Sequence, residues 1–423
     1  MLPPPKGTRD YLPAEMKKRR WVMEKIREVF ERYGYSEICT PAFESLELLE
    51  KKGGIGDENI KDIYRFQDKS KRWLGLRFEM TASVARIVSG KPNLTKPVKW
   101  YYITNLWRYE ATKKGRQREF WQAGIENIGT KDELIDAEIL AVTHDSLKAV
   151  GIENFVIKIS SRQIISKIAD KYCIKNKNDF FKLIDKREKM PEAEWKSELA
   201  GQFKNKSDLE SFLNLAALPW PEAKKELSTV AKDDIGYLEK ILNYCKSFGI
   251  DKRNLKVDLM MIRGLDYYTD FIFETEVEGF KELGSVAGGG RYDKLIELFG
   301  GQPTPATGMG IGIERVMEIV MGEIKEKPAI DVLILPVGEE FKKYAVELAA
   351  RLRKEGIYCD IEVMRDKFKK KMAYASELGV GLVAIIGKEE AEKGQVTLKD
   401  METGDQKKFN IEEILRNNKS AES

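Results

Sequence analysis

Two adjoining stretches decide the fold: VKWYYITNLW (Val98–Trp107) and RYEATKKGRQREFWQAGIENIG (Arg108–Gly129). Read with the two-residue period of a β-strand, they predict a hairpin closed by a polar loop over Ala111–Gly115. On the outgoing strand Tyr101, Ile103, Trp107 and Tyr109 share one face, and Arg108 and Glu110 share the other. On the returning strand Trp121, Ala123 and Ile125 point one way, while Arg116, Arg118, Phe120, Gln122, Gly124 and Glu126 point the other. An outer face left to solvent favours Lys, Thr and Glu, without an aromatic and a glycine in line with the charges. Arginine forks suit phosphate, a phenyl ring can stack on a purine, and amide and carboxylate groups can hold an amine.

RYE…GRQREFWQAGIE resembles motif 2 of the class II aminoacyl-tRNA synthetases, in the form carried by histidyl-tRNA synthetases. Upstream, KGTRDYLP (Lys6–Pro13) leads into a helix predicted over Ala14–Tyr33, with an apolar stripe of Val22, Ile26, Val29, Phe30 and Tyr33. A strand is expected over Tyr35–Glu44, and its Pro41 suits an edge or subunit boundary. This helix, strand and proline resemble motif 1, which forms the dimer interface in that class. Ile63–Asp68 and Trp73–Arg77 predict a second hairpin, which runs into LRFEMTASVARIV (Leu76–Val88). There Thr81 is placed to cap a helix. Histidyl enzymes resemble this segment too.

Downstream, a helix is expected over Asp132–Val150 and a strand over Asn154–Ile159. From about Ser160 to Lys252 the pattern becomes helical and rich in Lys and Glu; Lys171–Lys189 alone carries seven basic residues. Such a stretch is either a solvated helical face or a surface for nucleic-acid backbone. A strand over Leu255–Ile262 then ends in RGLDYYTDFIFE (Arg263–Glu274), and RGLDYYT resembles the histidine-specific signature of this one synthetase family. Where that pattern continues with Gly, this chain has Asp270. SVAGGGRYDKLIELFG (Ser285–Gly300) places three glycines before a helix predicted near Tyr292, a tight turn or a close approach to a ligand. The string AGGGRYD again resembles a histidyl-family motif. TGMGIGIERVMEIV (Thr307–Val320) reads as a glycine-flattened strand feeding a helix, with Arg315 on its first turn, and resembles motif 3. Its GxG lacks the spacing and the ribose acid of a dinucleotide-binding fingerprint.

After a linker at Lys325–Pro328, strands and helices alternate. Strands are expected over Ile330–Pro336, Tyr358–Val363 and Gly381–Ile386, with helices over Glu339–Glu355 and Phe368–Leu378. A hairpin near Glu402–Gly404 and a last helix near Ile411–Asn417 follow. This alternation predicts a separate α/β unit with parallel strands and a basic helix start, Lys367–Lys371. The unit resembles the anticodon-binding domain of class II synthetases. The expected fold is therefore α+β. A class II antiparallel catalytic sheet with flanking helices spans 1–325, with a helical insertion at about 160–252, and an anticodon-binding domain spans 326–423.

Composition sets the outer bounds. A chain of 423 residues holds two or three domains. Its charged fraction is 34%, above the roughly 25% of average globular proteins, and the Lys and Glu excess points to ion-pair networks of a heat-adapted protein. The net charge of +4 makes any nucleic-acid contact a matter of local basic patches. The cysteines, Cys39, Cys173, Cys245 and Cys359, form no CxxC pair, which fits a reducing cytoplasm. A single histidine, His144, excludes a His dyad or a multi-His metal site. No apolar signal core and no run of the roughly 18 apolar residues of a membrane span is present.

What the resemblance implies is a ligase of protein biosynthesis. It would activate L-histidine with ATP to histidyl-adenylate, release pyrophosphate, then pass histidine to the 3′-terminal ribose of tRNA(His), leaving AMP. By match of position Arg108 and Arg263 would serve the α-phosphate and Arg315 the γ-phosphate. Glu110, Arg116 and Phe120 complete the ATP site, with Phe120 stacked on adenine. Glu79, Met80, Thr81, Gln122, Glu126, Tyr267 and Tyr268 would hold histidine, with Arg108 and Arg263 near its carboxylate. Mg2+ would arrive with ATP, and the protein would be a cytoplasmic homodimer. The rival implied by the same fold is a non-catalytic, synthetase-like regulatory subunit of histidine biosynthesis.

Overall fold

The structure, a computed structural model, describes residues 2–51, 60–187, 190–262, 267–324 and 328–410. The chain divides into two compact units, Met1–Ile324 and Lys325–Ser423.

In chain order the strands of the first unit are β1 (Ser36–Glu37), β2 (Phe43–Ser45), β3 (Arg65–Gln67), β4 (Trp73–Leu76), β5 (Val98–Trp107) and β6 (Glu119–Ile128). Then come β7 (Phe155–Ser161), β8 (Leu255–Val257), β9 (Phe271–Val277), β10 (Ala287–Arg291) and β11 (Ala306–Gly312). Among the described residues, eight of them make one sheet in the order β1-β5-β6-β11-β10-β9-β7-β8. The antiparallel sheet expected from the sequence runs from β5 to β7, and short parallel strands are added at both edges. The Tyr35–Glu44 stretch does not form one strand. Pro41 offers no N–H to a ladder, and the Arg77 guanidinium takes the Thr40 and Pro41 carbonyls at 2.7 and 3.2 Å. The chain therefore leaves the large sheet after β1 and joins a small sheet, β2-β4-β3, which contains the expected second hairpin.

The first helix, Pro13–Arg32, buries Val22, Ile26, Val29 and Phe30, and it packs on helix Glu133–Ala149. Proline at its first position supplies the fixed φ a helix start needs and lacks only a donor that would be unpaired there. Between β7 and β8 lie helices from Arg162–Lys171 to Lys232–Ser247. Their core is aromatic: Phe212 lies 5.4 Å from both Phe180 and Phe203 and 6.1 Å from Tyr172, ring centre to ring centre. His144 is buried edge-on to Phe155, with Nδ1 2.8 Å from Asp145.

The second unit has the sheet β13-β12-β14-β15-β16, from β12 (Val332–Pro336), β13 (Cys359–Ile361), β14 (Leu382–Ile386), β15 (Gln395–Asp400) and β16 (Gln406–Asn410). The first three are parallel, and β15 and β16 add antiparallel. The basic run at Lys367–Lys371 does not all face water. Lys371 is buried, donates to the Pro336 carbonyl at 2.7 Å and lies 3.8 Å from the buried Glu362 carboxylate. A short helix, Lys388–Lys393, was not anticipated. The helix expected near Ile411–Asn417 lies outside the described residues, as do residues 325–327 of the linker.

Candidate active site

The hairpin differs from its predicted form in one consequential way. Strand pairing stops at Trp107 and Glu119, so the connection spans residues 108–118 instead of five. Inside it the Arg108 N–H donates to the Arg118 carbonyl at 2.8 Å, the Glu110 N–H to the Arg108 carbonyl at 2.9 Å and the Arg118 side chain to the Glu110 carbonyl at 3.2 Å, and Lys113 and Arg116 form a bridge. Arg108, Glu110 and Arg116 are thus released from the sheet plane and lie at the mouth of a cavity of about 620 Å3. The Gly7 carbonyl steadies this connection by accepting the Arg118 N–H at 2.7 Å. Gly7 has φ +84°, and a Cβ there would fall 2.5 Å from Arg118 Cγ, so KGTRDYLP fits here only with glycine.

The cavity floor is the centre of the large sheet. On β6 the period of two holds, and Phe120 and Gln122 line the cavity. Beside them β11 offers Gly308 and Gly310. A Cβ at either would stand 2.0 Å from the Glu126 carboxylate or the Gln122 amide, so these side chains lie flat across the neighbouring strand. Gln122 Nε2 donates to the Tyr102 hydroxyl at 2.9 Å. The glycines of AGGGRYD are not a turn before a helix. They belong to β10, squeezed between β9 and β11, where a Cβ at Gly289 would meet the Gly308 carbonyl at 2.1 Å.

One end of the cavity is a chain of buried hydrogen bonds. Glu79 accepts the N–H groups of Thr81 and Ala82 at 3.0 and 2.7 Å. The cap of helix Thr81–Ser89 is therefore Glu79 and not Thr81, because a carboxylate two residues upstream reaches the free N–H groups better. This frees the Thr81 hydroxyl to donate to Glu126 at 2.8 Å. Tyr292 also donates to Glu126. Burial raises the pKa of Glu79, against the pull of its N–H donors. Burial pushes Glu126 up to about 8, with the Glu79 charge adding to the rise and the two hydroxyls opposing it. Tyr267 and Tyr268 line the same end, ring centres 4.7 Å apart, with Tyr267 edge-on to Tyr292 at 5.8 Å.

Three arginines converge away from Glu126, with Arg108 still close enough to Glu79 for its charge to favour that carboxylate. Arg108 donates to the Phe78 carbonyl at 2.9 Å and lies 5.0 Å from the Phe120 ring centre. Arg116 pairs with Glu110 at 2.8 Å. Arg315 projects from helix Ile313–Val320 and donates to the Ser285 carbonyl. That helix is pinned through Glu314, which binds Arg19 at 2.8 Å and the Trp121 N–H at 2.9 Å. Burial, then the charges of Arg116 and Arg108, lower Arg315 to about 10. Cations gathered this closely favour an anion among them.

The residues that match a family model for histidyl-tRNA synthetase are 7–316, and those that match an anticodon binding domain are 331–419. The chain belongs to the histidyl-tRNA synthetase family. It is 42% identical to a histidine–tRNA ligase of Pyrococcus furiosus over 98% of each chain. It is 39% identical to that of Methanocaldococcus jannaschii over 98% of this chain and 99% of the relative. Among solved structures, a histidyl-tRNA synthetase from Nostoc matches with a TM-score of 0.83 at 26% identity, over 98% of this chain and 99% of that one. The second unit is this family's anticodon-binding domain. No helix among the described residues is long and apolar enough to cross a membrane.

Of the residues singled out from the family motifs, the cavity brings together Glu79, Thr81, Arg108, Glu110, Arg116, Phe120, Gln122, Tyr267, Tyr268 and Arg315. Two stand off its wall. Met80 is buried beneath it with Tyr102 and Leu106, and Glu126 is sealed behind Thr81 and Tyr292. Arg263 lies outside the described residues. Tyr102 and Tyr292 line the cavity and were not anticipated. Tyr102 lies on β5 beside the strand that carries Gln122, whose amide it accepts, so the strand period of two held the signal for it. For Tyr292 the sequence offered only its place in AGGGRYD.

Proposed function

We propose that the chain is a histidine–tRNA ligase and that this cavity makes histidyl-adenylate. Convergence of Arg108, Arg116 and Arg315 at one end of a cavity, with a carboxylate–hydroxyl–tyrosine lining at the other, carries this reading. The arginine end takes the triphosphate of Mg-ATP, with Arg108 and Arg263 at the α-phosphate and Arg315 at the γ-phosphate. Arg116 with Glu110 assists, and Phe120 stacks on adenine once Arg108 turns toward phosphate. The other end takes L-histidine. Glu79 and Thr81 meet its α-amino group, Gln122 and the tyrosines surround its ring, and Glu126 acts from behind by fixing the hydroxyls of Thr81 and Tyr292.

The histidine carboxylate attacks the α-phosphorus in line. A P–O bond forms to the carboxylate, and the bond to the departing pyrophosphate breaks. A ribose hydroxyl at the 3′ end of tRNA(His) then attacks the activated carbonyl, and AMP leaves. No side chain needs to become a nucleophile, because the work is positioning and charge neutralisation. The second unit and the basic insertion serve the tRNA in the cytoplasm. Homodimer formation is supported by Phe43 and Phe66, exposed side by side on the small sheet with ring centres 6.0 Å apart, where a second copy would cover them. Histidine-dependent ATP–pyrophosphate exchange, run without tRNA across all twenty amino acids, is the test. Exchange with histidine alone supports the reading, and exchange with another amino acid overturns the pocket assignment. No exchange from folded protein favours the regulatory subunit.

A further inference from the structure

Behind the amino-acid end lies a buried polar cluster that none of the adenylation chemistry uses. Its hub is Arg291, the last residue of β10 and the neighbour of Tyr292. The guanidinium is 3% exposed and donates to the Asp136 carboxylate at 2.8 and 3.1 Å, the Thr130 carbonyl at 3.0 Å and Asp293 at 3.1 Å. Its Nε also donates to the hydroxyl of Tyr237 at 3.2 Å, and that hydroxyl donates to Asp136. Asp136 lies on helix Glu133–Ala149, under the sheet. Tyr237 comes from helix Lys232–Ser247, the last of the insertion.

The backbone of Arg291 extends the connection. Its carbonyl accepts the Thr269 N–H at 2.7 Å and the Thr269 hydroxyl at 3.2 Å. Thr269 directly follows Tyr267 and Tyr268, and its own carbonyl accepts from Gln163 at 2.9 Å, on the first helix of the insertion. Three of the four tyrosines that line the cavity, all but Tyr102, therefore lie within two residues of a position that the insertion holds. Tyr292 follows Arg291, and Tyr267 and Tyr268 precede Thr269. A buried ion pair serving only as a staple would not need a hydroxyl from a helix inserted between β7 and β8, nor a position between two segments of the pocket wall.

We propose that Arg291 is a positioning residue for the amino-acid pocket, and that the helical insertion acts on that pocket through Tyr237, Asp136 and Arg291. The insertion's contact sets how firmly the end of β10 is held. That in turn sets where the Tyr292 hydroxyl meets Glu126 and where Thr269 places the two preceding tyrosines. The inference rests on the reading of this cavity as the amino-acid pocket.

The test is Tyr237→Phe in the full-length protein, with Gln163→Ala as a second variant at an exposed position and Arg291→Lys as the conservative change at the hub. KM for histidine, KM for ATP and kcat are measured by pyrophosphate exchange, and Tm is recorded beside them. Tyr237→Phe should raise the histidine KM about tenfold, the effect of one lost buried hydrogen bond in a coupled network, with the ATP KM unchanged. Arg291→Lys, which keeps the charge but loses the fork, should raise it further. A lowered Tm with an unchanged histidine KM would overturn the proposal, as would equal rises in both KM values or no change at all. If the wild-type protein activates a different amino acid, the functional reading fails and the same ratios are read with that amino acid. If it activates none, the ratio is read from the amino-acid concentration that half-saturates the ligand-induced rise in Tm.

Discussion

At the amino-acid end of the cavity Glu79, Thr81, Glu126 and Tyr292 form one hydrogen-bonded chain, and each of these side chains is nearly free of solvent. At the phosphate end the Arg108 and Arg116 side chains remain 33% and 40% exposed, on a connection outside the sheet. The first end is finished before a ligand arrives, so binding there costs little reorganisation and a wrong side chain meets fixed donors and acceptors. The second gathers three arginines that Glu110 and Glu274 balance only in part, so an anion placed among them is favoured. On the proposed function, specificity belongs to the buried end and rate to the exposed one.

The contrast is tested most severely at Arg108. Arg108→Ala should lower kcat for pyrophosphate exchange by roughly 10³-fold, as loss of a charge-stabilising group at the reacting centre does, with Tm nearly unchanged. Activity within tenfold of wild type would break the division of labour. At the buried end, Glu126→Gln should act on the histidine KM, raising it roughly 10- to 100-fold from a loss of about 1–3 kcal/mol in the hydrogen-bonded network. The ATP KM should stay as it was, and a rise in both would mean that the two ends are not separate.

The glycine floor gives a third and smaller effect and shows where sequence reading succeeds. The period of two placed Phe120 and Gln122 on the cavity face, and a glycine-poor strand could not have let Gln122 lie across β11. Gly310→Ala puts a methyl group 2.0 Å from Gln122 Nε2. It should displace that amide from Tyr102, raise the histidine KM several-fold and lower stability by about 1–3 kcal/mol, read by calorimetry. The same periodicity failed at Arg108, Glu110 and Arg116, since nothing local in RYEATKKGR says that pairing ends at Trp107. It also gave no hint of Arg291 with Asp136, which are 155 residues apart in sequence. Their partnership depends on which helix covers which strand. Thr81 is the helix cap by local preference, but the hydrogen bonds give the capping to Glu79. Local capping preference is a weak guide when a carboxylate two residues away competes for the same N–H groups.

The smallest effect is a slope with pH, and it distinguishes the ends without any substrate. Glu126 has its pKa raised by burial to about 8, against an ordinary value near 4.5. Between these values the folded protein keeps a proton that the unfolded chain has released, so the unfolded state binds fewer protons and stability falls as pH rises. The contribution is fully present below about pH 4.5 and is lost as pH passes through about 8. Arg315, lowered to about 10, contributes no slope in that window because it is protonated in both states. Thermal unfolding of the ligand-free protein between pH 5 and about 8 should therefore show a Tm that declines with pH, with Asp270, raised by burial to about 6, adding to the decline at its lower end. Glu126→Gln should reduce the decline between about pH 6 and about 8, while Arg315→Gln leaves it in place. An unchanged slope in Glu126→Gln would mean that Glu126 is already ionised in the empty pocket, with the hydroxyls of Thr81 and Tyr292 outweighing its burial. The amino-acid end would then carry a fixed negative charge, and its selectivity would rest on charge pairing more than on the geometry of its hydroxyls.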